Sequence, residues 1–256
     1  MTGVQLTAVE KRFGELTVVA PLHLDIAPGT FVSIVGPSGC GKSTLLRMIA
    51  GLEPTSAGTI TVADLAPAEA RREKRIAVVP QHPGLLPWRT VEANARLLRE
   101  LGRTDTHGGG GHDVDELLAL VGLDAFRDAL PHELSGGMQQ RVALVRAMAL
   151  GAPLVVMDEP FAALDEITRD DMRGLVNRLV EGRHITVLLV THSVTEAVAL
   201  SDRVLVSSPR PARVLADITV DLARPRRDDI DDDPRFVDLC AQVRHALRAG
   251  FREEPS

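Results

Sequence analysis

The chain has 256 residues, of which 45% are hydrophobic and 25% are charged, and its formal net charge is −6. This length suits one large domain, or a core domain with a smaller subdomain, of ordinary globular composition. The negative charge and the aromatic content of 3% exclude a general nucleic-acid surface, because phosphates attract cations and unstacked bases need aromatic rings.

No stretch approaches the roughly 18 consecutive apolar residues that a membrane-spanning helix needs, and the first residues lack the apolar core of a signal peptide. We therefore expect a cytosolic chain that reaches a membrane only through a partner. Cys40 and Cys240 form no metal-ligand or redox pair motif. Two reduced thiols are their simplest interpretation.

The first part of the chain predicts mainly strands. Short runs rich in Val, Leu and Thr occupy residues 4–13, 16–26, 31–35, 59–62 and 75–79. A glycine-rich turn follows the third run and opens a helical stretch at 42–50.

That turn carries the pattern G-x-x-x-x-G-K-[ST] of a phosphate-binding P-loop, in its expected place between a strand and a helix. Its residues are Gly36, Pro37, Ser38, Gly39, Cys40, Gly41, Lys42 and Ser43. Glycines let backbone N–H groups turn towards phosphate oxygens, and the helix N-terminus adds its positive dipole end. We expect Lys42 to reach the β- and γ-phosphates of ATP and spread their charge during hydrolysis, Ser43 to ligate Mg²⁺, and Thr44 to bind the α-phosphate.

The middle of the chain has apolar residues at helical spacing in 91–101, 114–121 and 139–149. Between the first two segments, four consecutive glycines separate His107 from His112. Four glycines do not hold a helix, and no further ligands accompany the histidines. We predict a flexible tether here rather than a metal site.

Strands return at 154–157 and 186–190, which are almost wholly apolar, as is typical of parallel strands buried on both faces. A helix is predicted between them at 167–181, followed by strands at 203–206 and 214–220. The acidic run 228–233 predicts a solvated linker, and 234–249 a final helix. Strand and helix alternation at both ends indicates an α/β core with an inserted helical block at about 85–150.

Two carboxylates end the strand at 154–157. After a P-loop, Asp158 takes the place of a Walker B aspartate, which holds Mg²⁺ directly or through water. Glu159 points elsewhere because strand neighbours alternate faces, and a carboxylate there could polarise the attacking water.

The segment 134–141, Leu-Ser-Gly-Gly-Met-Gln-Gln-Arg, resembles the signature of ABC transporter ATPases. The similarity covers residues 1–220, with the motifs in the family's order. It implies a P-loop NTPase core with a mixed sheet, an N-terminal antiparallel β-subdomain and an inserted α-helical subdomain. The implied division is an ABC ATPase domain at 1–222, with its helical subdomain at about 85–150, and a C-terminal linker and helix at 223–256.

The resemblance also assigns residues outside the P-loop. Gln81 matches the Q-loop, which contacts Mg²⁺ or water and reports nucleotide state to the helical block. His192 matches the switch histidine, which bonds the γ-phosphate and positions Glu159 and water. Asp165, in the segment Ala-Leu-Asp, matches the D-loop at the dimer seam. Phe13 takes the place of an adenine-stacking aromatic, where many relatives carry a Tyr that this chain lacks.

Ser135, Gly136 and Gly137 begin a predicted helix, so that free N–H groups and a hydroxyl form a second anion-binding nest. One chain already has a complete phosphate cradle, so the second nest needs another phosphate. In the family this nest closes on the γ-phosphate held by the opposite subunit. The resemblance therefore implies a head-to-tail homodimer that sandwiches two ATP molecules.

The segment 81–90 points to one group within this family. Its Leu-Leu-Pro-Trp stretch resembles that of the ATPases of nitrate, sulfonate and taurine importers. Segments 208–213 and 233–236 are similar to the same group. This implies a subunit on the cytoplasmic face of the membrane that works with a permease and, indirectly, an extracytoplasmic substrate-binding protein, with no nucleic acid. Trp88 has two open interpretations, a groove for a permease helix or packing inside the helical block.

Two other classes share these motifs. A soluble ABC-type ATPase of DNA repair would carry a long coiled-coil insertion, and one of translation would carry two tandem cassettes. An exporter cassette is commonly fused to membrane segments. One cassette with no heptad run and no basic patch favours the importer.

Overall fold

The computed structural model describes residues 3–101, 113–226 and 229–252. Within them the strands are β1 (Val4–Phe13), β2 (Leu16–Ile26), β3 (Phe31–Val35), β4 (Ala57–Val62), β5 (Ile76–Val79), β6 (Leu154–Asp158), β7 (Thr186–Thr191), β8 (Arg203–Ser207) and β9 (Val214–Thr219). The helices are α1 (Lys42–Ile49), α2 (Pro67–Arg72), α3 (Val91–Glu100), α4 (Val114–Leu120), α5 (Gly136–Ala149), α6 (Glu166–Val180), α7 (Val194–Leu200) and α8 (Pro234–Arg252).

Two sheets share the strands. A small antiparallel sheet has the order β2-β1-β4, and the larger sheet has the order β5-β6-β7-β3-β8-β9. The first five strands of the larger sheet are parallel, and β9 is antiparallel to β8. This mixed sheet with a separate antiparallel sheet confirms the expected α/β architecture.

Every residue of β3, β6 and β7 is buried, because helices cover both faces of the larger sheet. These three strands are adjacent and parallel, so the loops that follow them meet at one edge. In open parallel sheets, ligands bind at this carboxyl edge. The P-loop, the end of β6 and the segment after β7 therefore converge there.

Helices α3, α4 and α5 lie within the predicted helical block. The middle of α5 is buried almost all round, and its apolar side chains share one core with α4 and with β6 and β7. Helix α2 follows β4 and was not predicted. The run between His107 and His112 lies outside the described residues, and the domain boundaries at 222 and 223 remain predictions.

The C-terminal segment packs back onto the core. Phe236, Cys240 and Val243 of α8 are buried in a cluster with residues of α7 and β8. Residues 229–233 are mostly exposed, in line with the predicted solvated linker, but one of them also contacts the core. Asp231 lies in a short 3-10 turn, and Arg173 of α6 donates a 2.7 Å hydrogen bond to it from Nη2. This ion pair joins the acidic run to the core.

Candidate nucleotide site and its family

The P-loop connects β3 to α1 and has little room for side chains. Gly41 has φ 121°, and a Cβ there would lie 2.7 Å from the carbonyl oxygen of Val18. Only glycine fits such a close approach in this backbone region. Helix α1 begins at Lys42, so the N–H groups of its first turn have no intrahelical acceptors. The Lys42 Nζ is buried and donates 2.8 Å hydrogen bonds to the carbonyl oxygens of Gly36 and Pro37.

The hydroxyl of Ser43 and the carboxylate of Asp158 are in direct contact. Ser43 Oγ donates a 2.6 Å hydrogen bond to Asp158 Oδ1 at the end of β6. Two adjacent hard oxygen donors suit Mg²⁺, which is commonly held by one or two protein oxygens plus phosphates and waters. No group of three or more His, Cys, Asp or Glu residues in the described chain could enclose a metal by itself. The donor set therefore fits Mg²⁺ bound together with a nucleotide.

Glu159 and His192 form the next pair along the same edge. Glu159 Oε2 lies 3.1 Å from His192 Nδ1, and Glu159 N donates a 2.9 Å hydrogen bond to the carbonyl oxygen of Val190. Glu159 has φ 44°, the left-handed region, which is strained for a residue with a side chain. The end of β6 thus turns sharply, which brings the carboxylate to the segment after β7.

A cleft of about 340 Å³ lies between the two sheets. It is lined by Phe13, Leu16, Val18, Gly39, Gly41, Lys42, Ser43, Thr44, Glu159 and Arg210. Phe13 is half exposed, and Lys11 Nζ lies 4.6 Å from the centroid of its ring. The cleft therefore brings together an aromatic ring, the P-loop residues and Glu159.

Arg210 of this cleft was not predicted as a site residue. Its Nε and Nη2 donate hydrogen bonds of 3.1 and 2.6 Å to the carbonyl oxygen of Gly39. The segment 208–213 resembles the importer ATPases, but no local sequence pattern predicts that Arg210 contacts the P-loop. Its position depends on the β8–β9 connection, which only the folded sheet brings close.

The signature residues lie at a helix start, outside the lining of this cleft. Ser135 is the N-cap of α5, and its Oγ accepts a 3.3 Å hydrogen bond from Met138 N. Gly136 is exposed, whereas a Cβ on Gly137 would lie 2.7 Å from Cγ2 of Thr168. Ser135 and Gly136 therefore face solvent, and Gly137 allows α5 to approach α6.

Asp165 is likewise an N-cap, that of α6. Its carboxylate accepts hydrogen bonds of 3.0 Å from Thr168 N and 2.8 Å from Thr168 Oγ1. These bonds, first that from the backbone, lower the pKa of Asp165. Thr168 thus touches both the signature glycine, Gly137, and the D-loop aspartate within one chain. Sequence reasoning missed this residue because neither motif includes it.

Gln81 follows β5 in an exposed loop and does not line the cleft. The loop after it is held by backbone contacts. Arg146 of α5 donates hydrogen bonds of 2.9 Å to Gly84 O and 2.6 Å to Pro83 O. Burial lowers the pKa of Arg146. Gln81 is therefore connected to the signature helix through this loop.

Asn94 of α3 holds the next part of the loop. Its side chain accepts from Leu86 N at 2.8 Å and donates to the carbonyl oxygens of Leu86, Arg89 and Thr90. Trp88 lies between these contacts and is 73% exposed. The interpretation of Trp88 as packed inside the helical block was therefore wrong.

Comparisons with known proteins agree with this geometry. The family model described as ABC transporter matches residues 19–162. The aliphatic sulfonates import ATP-binding protein of Yersinia pestis is 44% identical over 88% of this chain and 79% of its own length. That of Pseudomonas savastanoi is 44% identical over 91% of both chains.

A nitrate import ATP-binding protein of Synechococcus elongatus is 41% identical over 92% of this chain, which spans 36% of that longer protein. Among solved structures, a dimeric ATP-binding cassette in a post-hydrolysis state bound to ADP and Pi superposes with a TM-score of 0.72. It is 32% identical, and the match covers 86% of this chain and all of that chain. The P-loop cleft, the signature helix and these matches together place the chain in the ABC transporter family.

Proposed function

We propose that the chain is the ATP-hydrolysing subunit of a solute importer, coupled to a separate permease at the cytoplasmic face of the membrane. One observation carries the catalytic part. The Ser43–Asp158 pair and the Glu159–His192 pair lie at one sheet edge, and Ser43 and Glu159 line the same cleft as Lys42. The import part is supported by relatives named for sulfonate and nitrate import.

The phosphates of ATP would lie over the first turn of α1, where unbonded N–H groups and the helix dipole favour negative charge. Lys42 would leave the carbonyl oxygens of Gly36 and Pro37 and donate to the β- and γ-phosphate oxygens. Ser43 and Asp158 would hold Mg²⁺, with Gln81 as a further oxygen ligand. Bound Mg²⁺ would supply charge neutralisation at the transferred phosphoryl group. Phe13 offers its ring face to the adenine.

Glu159 and His192 would act on the attacking water. The carboxylate of Glu159 lies in the cleft, and its 3.1 Å contact with His192 Nδ1 fixes its direction. A carboxylate within hydrogen-bond reach of water takes or orients its proton, which is worth about 10²- to 10⁴-fold in rate. The other nitrogen of His192 remains for the γ-phosphate.

A second copy of the chain would complete the site. Ser135 and Gly136 are exposed at a helix start in one chain, outside its own cleft. A head-to-tail homodimer would bring them to the γ-phosphate of the partner, with Asp165 at the seam. The superposition with a dimeric ATP-binding cassette supports this arrangement.

The permease would dock on the loop that carries Trp88. This side chain is exposed although Arg146 and Asn94 hold the loop around it by backbone contacts. A large aromatic side chain on a preformed surface is a common anchor of protein interfaces. Gln81 in the same loop would connect docking to the nucleotide.

The imported solute is proposed to be a small oxyanion such as an alkylsulfonate, taurine or nitrate. The printed names of the relatives favour sulfonates first. Selectivity would lie in the permease and an extracytoplasmic substrate-binding protein, so this chain would supply the same chemical step for any of these solutes.

Capture of partners from detergent-solubilised native membranes tests the importer role. The tagged chain is expected to retain a polytopic membrane protein, identified by mass spectrometry. Trp88→Glu should abolish that capture, whereas Phe251→Glu, a matched change of an exposed aromatic on α8, should preserve it. Recovery of soluble partners alone, with ATP hydrolysis intact, would replace the importer by a soluble ABC-type ATPase.

A further inference from the structure

A second cavity, of about 490 Å³, lies at the edge of the large sheet opposite to the phosphate site. Phe31 opens β3, Val187 lies near the start of β7 and Asp202 precedes β8, and all three line this cavity. Parallel strands begin at this edge and end at the nucleotide cleft. A strand the length of β3 spans roughly 17 Å, so the cavity is separate from the ATP site.

The walls come from two parts of the chain. One wall is the end of α6 and the turn after it, from Asn177 to Ile185. The other wall is formed by Arg224, Pro225 and Arg226, in the segment that leads from the sheet towards α8. The cavity therefore lies at the joint between the ATPase core and the C-terminal segment.

Cationic groups outnumber carboxylates in its lining, where Arg178, Arg183, Arg224 and Arg226 face Glu181 and Asp202. Both carboxylate oxygens of Asp202 are already engaged, because Oδ1 accepts from Arg224 Nε at 2.8 Å and Oδ2 from Phe31 N at 2.9 Å. Burial lowers the pKa of Arg226 to about 10, which leaves it charged at neutral pH. The cavity therefore has an excess of positive charge.

Two buried polar atoms of the lining have no hydrogen-bond partner within the described part of the chain. They are Nε of Arg226 and Oδ1 of Asn177. Arg226 is only 7% exposed, and its other nitrogens donate to Ser201 O at 2.9 Å and to Ala223 O at 3.2 Å. An unpaired buried donor on a cation costs more free energy than a neutral one. Nε itself has almost no accessible surface, so Arg226 contributes its positive charge to the cavity rather than a free donor.

The rest of the lining is apolar. Phe31 is buried beneath the guanidinium of Arg224, whose Cζ lies 5.9 Å from the ring centroid. Val180, Ile185 and Val187 complete this surface. A cavity with an apolar surface and a few convergent polar groups has the composition typical of small-molecule sites.

We propose that this cavity binds a small organic anion, with its carboxylate or sulfonate attracted by Arg178, Arg224 and Arg226 and its apolar body against Val180 and Ile185. The bound anion bridges α6 and the segment before α8, so it stabilises the docked form of the C-terminal segment by mass action. This site acts at the opposite edge from hydrolysis and is independent of the importer assignment.

Isothermal titration calorimetry on the full chain tests the ligand class with three probes. 3-Phenylpropionate carries both the anion and the apolar body, 3-phenylpropanol has no charge, and acetate has no apolar body. Binding of 3-phenylpropionate should be at least about tenfold tighter than that of either control, as expected for a charged hydrogen bond combined with apolar burial. No heat from 3-phenylpropionate at millimolar concentration, or equal affinity for either control probe, would overturn the proposal.

Variants locate the site. Arg226→Gln should weaken 3-phenylpropionate binding about tenfold or more, and Arg178→Gln at the exposed rim about threefold. Arg213→Gln removes one exposed positive charge elsewhere and should change nothing. ATP affinity, measured in parallel, reports folding, because the ATP cleft lies at the other sheet edge. If Arg226→Gln does not fold, the affinity of Arg178→Gln for 3-phenylpropionate alone tests the location of the site. Unchanged binding in a folded Arg226→Gln or in Arg178→Gln would contradict the location.

Discussion

At the sheet edge that holds the P-loop, one residue with a strained backbone lies beside the groups proposed to react. Glu159 has φ 44°, a conformation that costs a residue with a side chain of order 1–3 kcal/mol. The hydrogen bond to Val190 O and the contact with His192 hold it there. The strained turn places the carboxylate in the cleft with Lys42. The strained residue is thus the one that is proposed to act on the attacking water.

Glu159→Gln should keep the shape of the side chain and remove its negative charge. We expect Mg-ATP binding near the wild-type level, phosphate release about 10²- to 10⁴-fold slower, and a closed dimer that accumulates with Mg-ATP. Single-turnover phosphate release and light scattering after size exclusion measure the two effects. Glu116→Gln, an exposed carboxylate on α4, is the matched control. Wild-type turnover in Glu159→Gln would remove Glu159 from the mechanism.

At the scale of elements, several of the candidate site residues lie at the N-termini of helices. Ser135, Asp165 and Ser193 are the N-caps of α5, α6 and α7. Each cap satisfies an N–H group of its own helix and lies in or beside a motif. Thr168 connects two of them, since its hydroxyl meets Asp165 and its methyl group lies under Gly137. The signature and the D-loop therefore share one packing contact.

Gly136 and Gly137 should respond differently to alanine. At Gly137 a Cβ would lie 2.7 Å from Thr168 Cγ2, whereas at Gly136 it would meet nothing within 4 Å. We expect Gly137→Ala to destabilise the chain by about 1–3 kcal/mol and Gly136→Ala to be neutral or slightly stabilising. Urea unfolding compares the two. Adding Thr168→Ser, which removes the methyl group and keeps the hydroxyl, should rescue Gly137→Ala, and no rescue would exclude this contact as the cause.

Glu196 joins the segment after β7 to the D-loop. It is buried on α7 and accepts a short hydrogen bond from Thr191 Oγ1. Arg169 Nε lies 3.5 Å from Glu196 Oε1, too far for a hydrogen bond but close enough for an ion pair, and Arg169 Nη2 donates to Leu164 O at 2.8 Å. A contiguous polar network thus connects Leu164, beside Asp165, with Thr191, beside His192.

The pH dependence of stability should report Glu196. Burial raises its pKa above 4.5, against the opposing effects of Thr191, Arg169, His192 and Arg173. A raised folded-state pKa means that the contribution of Glu196 is fully present below pH 4.5 and is lost as pH rises through the folded-state value. The free energy of unfolding in urea, measured from pH 4.5 to 7.5, should therefore fall in wild type relative to that of Glu196→Gln. The control Glu116→Gln should show the same pH dependence as wild type. If the free energy of unfolding of Glu196→Gln varied with pH in parallel with that of wild type, the raised pKa of Glu196 would be contradicted.

At the scale of the whole molecule, the two proposed phosphate-binding surfaces of the chain are separate. Its own cleft has the P-loop, and the exposed Ser135 and Gly136 lie outside that cleft. Two chains related head to tail would bring each half to its complement. Among the described residues, no helix has the length and apolarity to cross a bilayer.

Ser135→Arg should separate nucleotide binding from assembly. A long cation at the start of α5 blocks approach of the partner and leaves the chain's own P-loop unchanged. In the Glu159→Gln background with Mg-ATP, we expect a monomer by light scattering and unchanged ATP affinity by titration. Ala119→Arg, an exposed position on α4, should leave the dimer intact. Loss of ATP binding by the Ser135→Arg monomer would contradict the two-chain site.

Much of this architecture follows from local sequence patterns. The apolar runs 31–35, 154–157 and 186–190 predicted β3, β6 and β7, because doubly buried strands need continuous apolar residues. Arg210 and Thr168 were missed, and the choice between the two interpretations of Trp88 stayed open, since each depends on packing between distant segments. The contact of Asp231 with the core was not predicted, because its partner, Arg173, is far away in sequence. Roles that need ATP or a second chain remain predictions.

The loop that carries Trp88 is held through its main chain. Arg146 and Asn94 bind carbonyl and N–H groups of residues 83–90, which every amino acid except proline presents in the same way. The loop's shape is therefore largely independent of its exposed side chains. If the permease docks at Trp88 as proposed, substitutions there would change which membrane partner is recognised without remodelling the scaffold. Such an arrangement would let duplicated genes diverge towards new transport systems while their ATPase chemistry stays the same.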